Sequence, residues 1–581
     1  MSGGEFALGN NLGEEFIIAH SDDAGAIKVN SRDLNTVTVD TIADLRTLSS
    51  LAEYVRVTGY HTKNDGAFGS NVFRLKGIRN TENDNTGTII LSTINDIEYV
   101  YELQFSGPVN VKWFGARDGL DSTSSIQKAI DNHNVVFIPE GTFLLGYQTA
   151  YLGETEYGVG GILLRAGVTL FGSGDKSILK VKPNAYGAGA LYGLVRSNYT
   201  SDIEIYNIKF DGNKANQVAS TQCSNIFLHG MDNVNIHDCF SINANGQSIQ
   251  VVGKATDPID FLYIENNIID TATSIGIQVS HCNNPVVENN IVIGCTNNAI
   301  DIYNEDGDTV VSGKGGSIVG NTTKNSLTGV FIETSSLINV TGNTIENCSS
   351  SGIHINRING VPYNSNVNNN IISGGTRSIR ISGVGSGNLI SNNVCTGFTE
   401  APILLYGSSC SGVTIKDNTF SFNSATQPFV EISNTALSNV QVVNNRCNTL
   451  FGGNDYRVLV TGVVSSTATF IQKPIRIDTI VQKDFLSGAP SINNGQTLTI
   501  PLRDNATGTL QLWGTSGGSW YSTATYTVFS GGGTAKVKKI NDDFTAPGQL
   551  FGAVTVSGLT LSIPTTATGS GGNVKYFLEY L

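Results

Sequence analysis

The chain has 581 residues, a formal net charge of −13, only 14% charged residues and 66 glycines. That acidity excludes a nucleic-acid binder working through a basic footprint, and no apolar run approaches the length of a membrane span. A chain this long is several domains, or one long solenoid with appendages.

Residues 1–10 read as leader or cloning residues, and 11–106 as a small N-terminal domain. The latter carries a short helix at 41–46 and strands at 54–57 and 72–75, flanking a tight turn at Asp65-Gly66. Val109 to Gly119 then reads as a strand and a glycine turn. Asp121-Ser122-Thr123 opens a capped amphipathic helix with Ile126, Ala129 and Ile130 on one face, and 135–143 reads as strand–turn–strand. Such a helix would lid an open strand edge of the β-rich region after it.

From about Ile203 to Asn448 the chain repeats itself. A polar-Asn-apolar phrase returns with its asparagine at 267, 290, 321, 343, 370, 393, 418 and 445, in steps of 23, 31, 22, 27, 23, 25 and 27. Between these come small-apolar-x-apolar phrases such as Gly276-Ile277-Gln278-Val279 and Gly352-Ile353-His354-Ile355. Short β-branched runs at such a period predict a parallel β-helix over 107–455, its N-terminal cap at 107–145. Parallel crossovers make right-handed winding the expectation. Stacked strands would form an inward column of Ile277, Ile300, Val330, Ile353 and Ile379. Asparagine at each corner would take the left-handed backbone and bond to its copies above and below. All eight cysteines lie inside the repeat with no C-x-x-C pair, and read as buried fillers in a reducing compartment. Residues 456–474 read as a linker, and 475–581, with alternating strands and Gly-rich turns, as a C-terminal β-sandwich.

Within the repeat, the residue between two inward ones faces outward. One outward column reads Gln250, Gln278, Asp301, Phe331, His354, Arg380, Leu404, Glu431; the column two positions later includes Tyr303, Glu333, Asn356, Ser382 and Tyr406. The middle coils therefore gather Asp301, Tyr303, Glu305, Glu333, His354, Arg357, Arg377 and Arg380, beside the longest step. Carboxylates, cations and rings on one face suit an acidic or N-acetylated glycan, with Tyr303, Phe331 and Tyr406 stacking on sugars. Asp301 and Glu333 should be diagonal neighbours about 8 Å apart, a separation for inverting hydrolysis. Glu333 is then the acid, its pKa raised beside Phe331, Asp301 the base and Glu305 the reserve. His354, Arg357, Arg380 and Tyr303 are also the residue types of a lyase acting by β-elimination on a uronic-acid glycan. A third reading is a glycan-binding adhesin without catalysis. No cofactor is expected; Asp306-Gly307-Asp308 reads as an acidic turn rather than a metal site.

The phrases Val109-Asn110-Val111-Lys112-Trp113-Phe114-Gly115-Ala116-Arg117-Asp118-Gly119, Ala129-Ile130 and Ile138-Pro139-Glu140-Gly141-Thr142-Phe143 resemble the cap of the pectate-lyase-like superfamily used in bacteriophage tailspike depolymerases. The departure is Asp121-Ser122-Thr123, where Asp-Asp-Thr is common. Gly59-Tyr60, Asp65-Gly66 and Phe68 resemble the small domain that precedes the β-helix in those proteins. The resemblance implies an all-β homotrimer held by its C-terminal domain. It would be joined to the phage tail or baseplate through its N-terminal side. Made in the host cytoplasm, it would act outside the cell on a bacterial capsule, exopolysaccharide or O-antigen, without nucleic-acid partners or membrane insertion.

Overall fold

The computed structural model describes residues 36–447 apart from 147–158, 186–190, 219–221, 231, 304–312, 357–363, 383–386, 408–409, 423–428, 435–436 and 439. Elsewhere it describes strand backbone alone, in three segments before residue 29, at Val458–Val460, and in eight strands between 484 and 580. Glu305, Arg357 and the acidic turn at 306–308 lie outside the described residues.

The repeat is a parallel β-solenoid. Short β-branched strands cannot bury a core alone, so each pairs with its copy one coil on. Twelve strands form one face, among them Asn298–Tyr303, Thr328–Glu333, Ser351–Asn356 and Arg377–Ser382, all paired in parallel. On each coil two further strands, such as Ser336–Thr341 and Thr344–Glu346, complete the wall. Ile277, Ile300, Val330, Ile353 and Ile379 are successive register partners with no exposed surface, the inward column read from the sequence. Burying each such side chain contributes roughly 1.5–3 kcal/mol.

The corner asparagines are fully buried. Asn321 donates both its backbone N–H and its Nδ2 to Oδ1 of Asn343, at 2.9 and 3.0 Å, and its Nδ2 also reaches Val287 O. Asn343 repeats this with Asn370 and Ile318, and the pattern continues through Asn393 and Asn418 to Asn445. One expectation is corrected. The left-handed residue is the one before the stacked asparagine: Asn266, Asn289, Gly320, Gly342, Asn369, Asn392, Asp417 and Asn444. The bend belongs to the exposed neighbour, so the stacked residue can turn its amide inward to both adjacent coils.

The helix Thr123–Asn132 closes the first coil with Ile126, Ala129 and Ile130 buried. Gln127 is also buried. It donates from Nε2 to Leu163 O and accepts from Leu163 N, at 2.9 and 2.7 Å, so one side-chain amide stands in for the missing strand along this edge. Two details differ from the sequence reading. Residues Val111–Phe114 form a 3₁₀ turn instead of extending the strand, ending at left-handed Gly115, and Ser122 makes no side-chain cap bond. Ser122 Oγ donates to backbone carbonyls, and Asp121 takes the N–H and hydroxyl of Thr123 instead.

Ahead of the cap, a five-stranded sheet spans Thr36–Val39 to Ile97–Gln104, with the helix Ile42–Arg46 begun by a Thr41–Asp44 capping box. The Asp65 turn accepts from the N–H groups of Tyr60, His61 and Ala67. His61 Nε2 lies 2.8 Å from Gly115 O, tying this sheet to the cap. After residue 483 the strands form two antiparallel sheets of five and three. Among the described residues six cysteines are free and buried, and no helix is long and apolar enough to cross a membrane.

Replacing Asn343 by Ala should lower stability by about 2–5 kcal/mol, because the buried Asn321 N–H then loses its acceptor and Asn343's own amide bonds to Asn370 and Ile318 are lost as well. Replacing the exposed Asn347, which takes no part in the stack, should cost much less. Thermal unfolding of both variants beside the wild type checks this; equal midpoints would refute the role assigned to the stack.

Candidate active site

The outer face of the twelve-stranded sheet presents the two columns read from the sequence. Gln250, Gln278, Asp301, Phe331, His354, Arg380, Leu404 and Glu431 are consecutive register partners. So are Tyr303, Glu333, Asn356, Ser382 and Tyr406. Asp301 and Glu333 thus stand on adjacent strands, two positions apart.

They differ in environment, and this corrects the picture of two solvent-facing carboxylates. Asp301 is only 4% exposed. Its Oδ2 accepts from Asn298 Nδ2 at 3.0 Å, while its Oδ1 is buried without a partner. Burial pushes its pKa up to about 7, against the pull of the Asn298 bond and with help from the charge of Glu333. Glu333 is partly exposed and accepts from Asn356 Nδ2 at 3.0 Å.

From Glu333 a chain of bonds runs across three coils. Asn356 donates to Glu333, Ser382 Oγ donates to Asn356 Oδ1, and His354 Nε2 lies 2.9 Å from Ser382 Oγ. Ser382 has one hydroxyl proton, already given to Asn356, so His354 must be the donor at Nε2. With its pKa lowered, the ring is neutral and its lone pair lies on Nδ1. Burial, aided by the Arg380 charge, drops the His354 pKa to about 3. Phe331 and Tyr406 flank the ring at centroid distances of 4.8 and 6.5 Å.

Of the three arginines expected at this face, the two that are described have different fates. Arg377 is held between Glu400 and Glu431, the latter at 2.9 Å, and its charge is already met. It is therefore not an open cation for a ligand, as the sequence suggested. Arg380 packs its guanidinium over the Tyr406 ring at 4.4 Å and bonds to the Tyr406 hydroxyl. No carboxylate pairs with Arg380 among the described residues, and its Nε is buried without a partner. Tyr303 lies one rung from Glu333.

Two family models match the chain: a right handed beta helix region over residues 310–462, and a phage tail protein small four-stranded beta-sheet domain over residues 38–102. The chain resembles a phage tailspike. Among solved structures, full-length tailspike protein 2 from an Escherichia coli O157:H7 bacteriophage aligns over 98% of this chain and 86% of its own, at 11% identity and a TM-score of 0.40. Tailspike gp49 from the Acinetobacter baumannii bacteriophage Fri1, a capsular polysaccharide depolymerase, aligns over 94% and 98%, at 14% identity and a TM-score of 0.31. The A-module of the Azotobacter vinelandii mannuronan C-5 epimerase AlgE4 aligns over 63% and 99%, at 18% identity and a TM-score of 0.42. Such likenesses concern the fold, so the chemistry has to come from this face itself.

Sequence reasoning left out Asn298, Asn356 and Ser382 as site residues. The signal was available for the last two, since they occupy the Glu333 column; Asn298 lies outside both columns.

Asp301 has a folded pKa raised above its unfolded value near 3.8, so its stabilising contribution is complete below pH 4 and lost as pH rises through about 7. Asp301→Asn, which keeps a partner for Asn298, should therefore stabilise the protein at pH 8, by about 4 kcal/mol, and hardly at pH 4. Unfolding midpoints of both proteins across this range test it; a gain independent of pH would show that Asp301 is not a buried acid.

Proposed function

We propose that this chain is a tailspike subunit that binds and depolymerises a bacterial surface polysaccharide by acid–base glycoside hydrolysis. The observation that carries the reading is a carboxyl holding its proton near neutrality, set diagonally from a second carboxyl on one sheet face. The roles run opposite to the sequence expectation. Asp301, protonated by burial, gives its proton to the glycosidic oxygen as the bond to the anomeric carbon breaks. Glu333 takes a proton from the water that attacks that carbon. Asp301 is buried, so it can reach a leaving oxygen only if the side chains over it move aside. Phe331, Tyr303 and Tyr406 supply apolar ring surface for sugars, and Arg380 a cation for an acidic group.

The match over residues 38–102 supports attachment to a phage tail through the N-terminal side, hence a place on the virion after synthesis in the host cytoplasm. The domain from 475 onward would hold three parallel chains together. Light scattering should give about three times 61.6 kDa; a stable monomer would overturn the trimer.

Glu333→Gln and Asp301→Asn should each lower reducing-end release about 10²–10⁴-fold while polymer binding persists. Activity should fall as pH rises above about 7, where Asp301 loses its proton, and this limb should be absent from the residual activity of Asp301→Asn. Near wild-type turnover in both variants would remove this pair.

One observation favours a second reading. His354 keeps a lone pair on Nδ1 next to Arg380 and Tyr406, the residue types a lyase needs beside a uronate, whose negative charge would raise the basicity that burial and Arg380 hold down. An ultraviolet-absorbing unsaturated product would decide for it. Binding without any shortening of the polymer would make the protein an adhesin.

A further inference from the structure

At the corner where each coil passes from the twelve-stranded sheet into the next strand, one residue takes a left-handed conformation. The register places Asp202, Asn233, Phe261, Asn284, Gly315, Leu337, Asn364 and Gly387 there in succession, with φ between +44° and +75°. Asparagine, aspartate and glycine tolerate that backbone; bulky apolar residues do not. Phe261 and Leu337 adopt it all the same, and neither is buried by doing so: they are 66% and 48% exposed. The fold gains little burial from two strained, exposed apolar side chains, and backbone strain of this kind clusters at ligand sites.

Asn284 and Gly315 occupy the two rungs between them. A cleft of about 350 Å³ opens here, lined by Asn284, Gly315, Ser317 and Asn339, with Leu337 at one side and exposed Lys314 on the rim. A Cβ at position 315 would fall 2.1 Å from Asn284 Oδ1, so glycine is what leaves room for that amide in the cleft. Phe261 and Leu337 are three rungs apart, about 14 Å, room for a short run of linked sugar rings.

We propose that this cleft is a second glycan-binding site, on the lateral wall and separate from the Glu333 face. It would hold uncut polymer by packing sugar rings on Phe261 and Leu337. The amides and the hydroxyl would bond neutral or N-acetylated sugar groups, with Lys314 meeting an acidic substituent. A protein partner would bury its apolar anchors in one dry patch; here Leu337 borders a polar floor and Phe261 stands three rungs away, beyond Asn284. The inference rests on the polysaccharide reading above.

The test is the full-length double variant Phe261→Asn, Leu337→Asn, which restores the residue type usual at this corner. It should unfold at a higher temperature than the wild type, yet bind purified bacterial capsule, exopolysaccharide or O-antigen about three- to tenfold more weakly. Unchanged polymer affinity would overturn the site. So would a fall in particle mass on light scattering, which would make the cleft a face between copies of the chain. If the wild type binds such polymers without shortening them, the depolymerase reading fails and the site still stands or falls on the double variant. If it binds none of them, both fail.

Discussion

A buried primary amide that serves two neighbouring coils at once sets the shape of this molecule. Each stacked asparagine must give two protons to the next and a third bond to a carbonyl behind it, so every coil has to bring its amide to one fixed point. The chain between two such points varies from 22 to 31 residues, and the variation is confined to other corners. The longest step places its extra length directly after Tyr303, at the edge of the face where the charged residues gather. Constancy at one corner leaves the others free to diverge.

On the face itself, side chains from successive coils are held a strand spacing apart, which couples groups far apart in sequence. Glu333, Asn356, Ser382 and His354 come from three coils yet form one line of bonds. The same closeness explains why an outward residue such as Asp301 is covered. A flat sheet carrying Phe331, His354 and Arg380 in a row leaves little space for water between rungs. Outward along the strand and exposed to solvent are different conditions here, and the difference moves two pKa values in opposite directions.

The fold was legible in the sequence because its period is written in residue types that have one physical use each. Ile353 and its copies could only face inward once the asparagine phrase set the frame, and the outward columns followed rung by rung. Burial was not legible. Nothing in the residues around Asp301 says that its neighbours close over it, since that depends on side chains 23 or more positions away. Nor could the pattern tell which residue of an Asn-Asn pair bends and which stacks; both tolerate either place, and only the bonding separates Asn369 from Asn370. Phe261 and Leu337 were readable in principle, as apolar residues at a corner otherwise kept for Asn, Asp and Gly.

The amide stack also has a direction. From Asn267 to Asn418, each side-chain amide gives one Nδ2–H to the Oδ1 of the next coil toward the C-terminal end. Aligned amides of this kind polarise one another and add like the peptide dipoles of a helix. At the N-terminal end the oxygen of Asn267 is already taken by the N–H of Cys239. At the growing end each newly placed asparagine holds donors that only a further coil can meet. The described stack therefore runs one way, and a chain emerging from its N-terminus would find each coil laid down offering donors to the next.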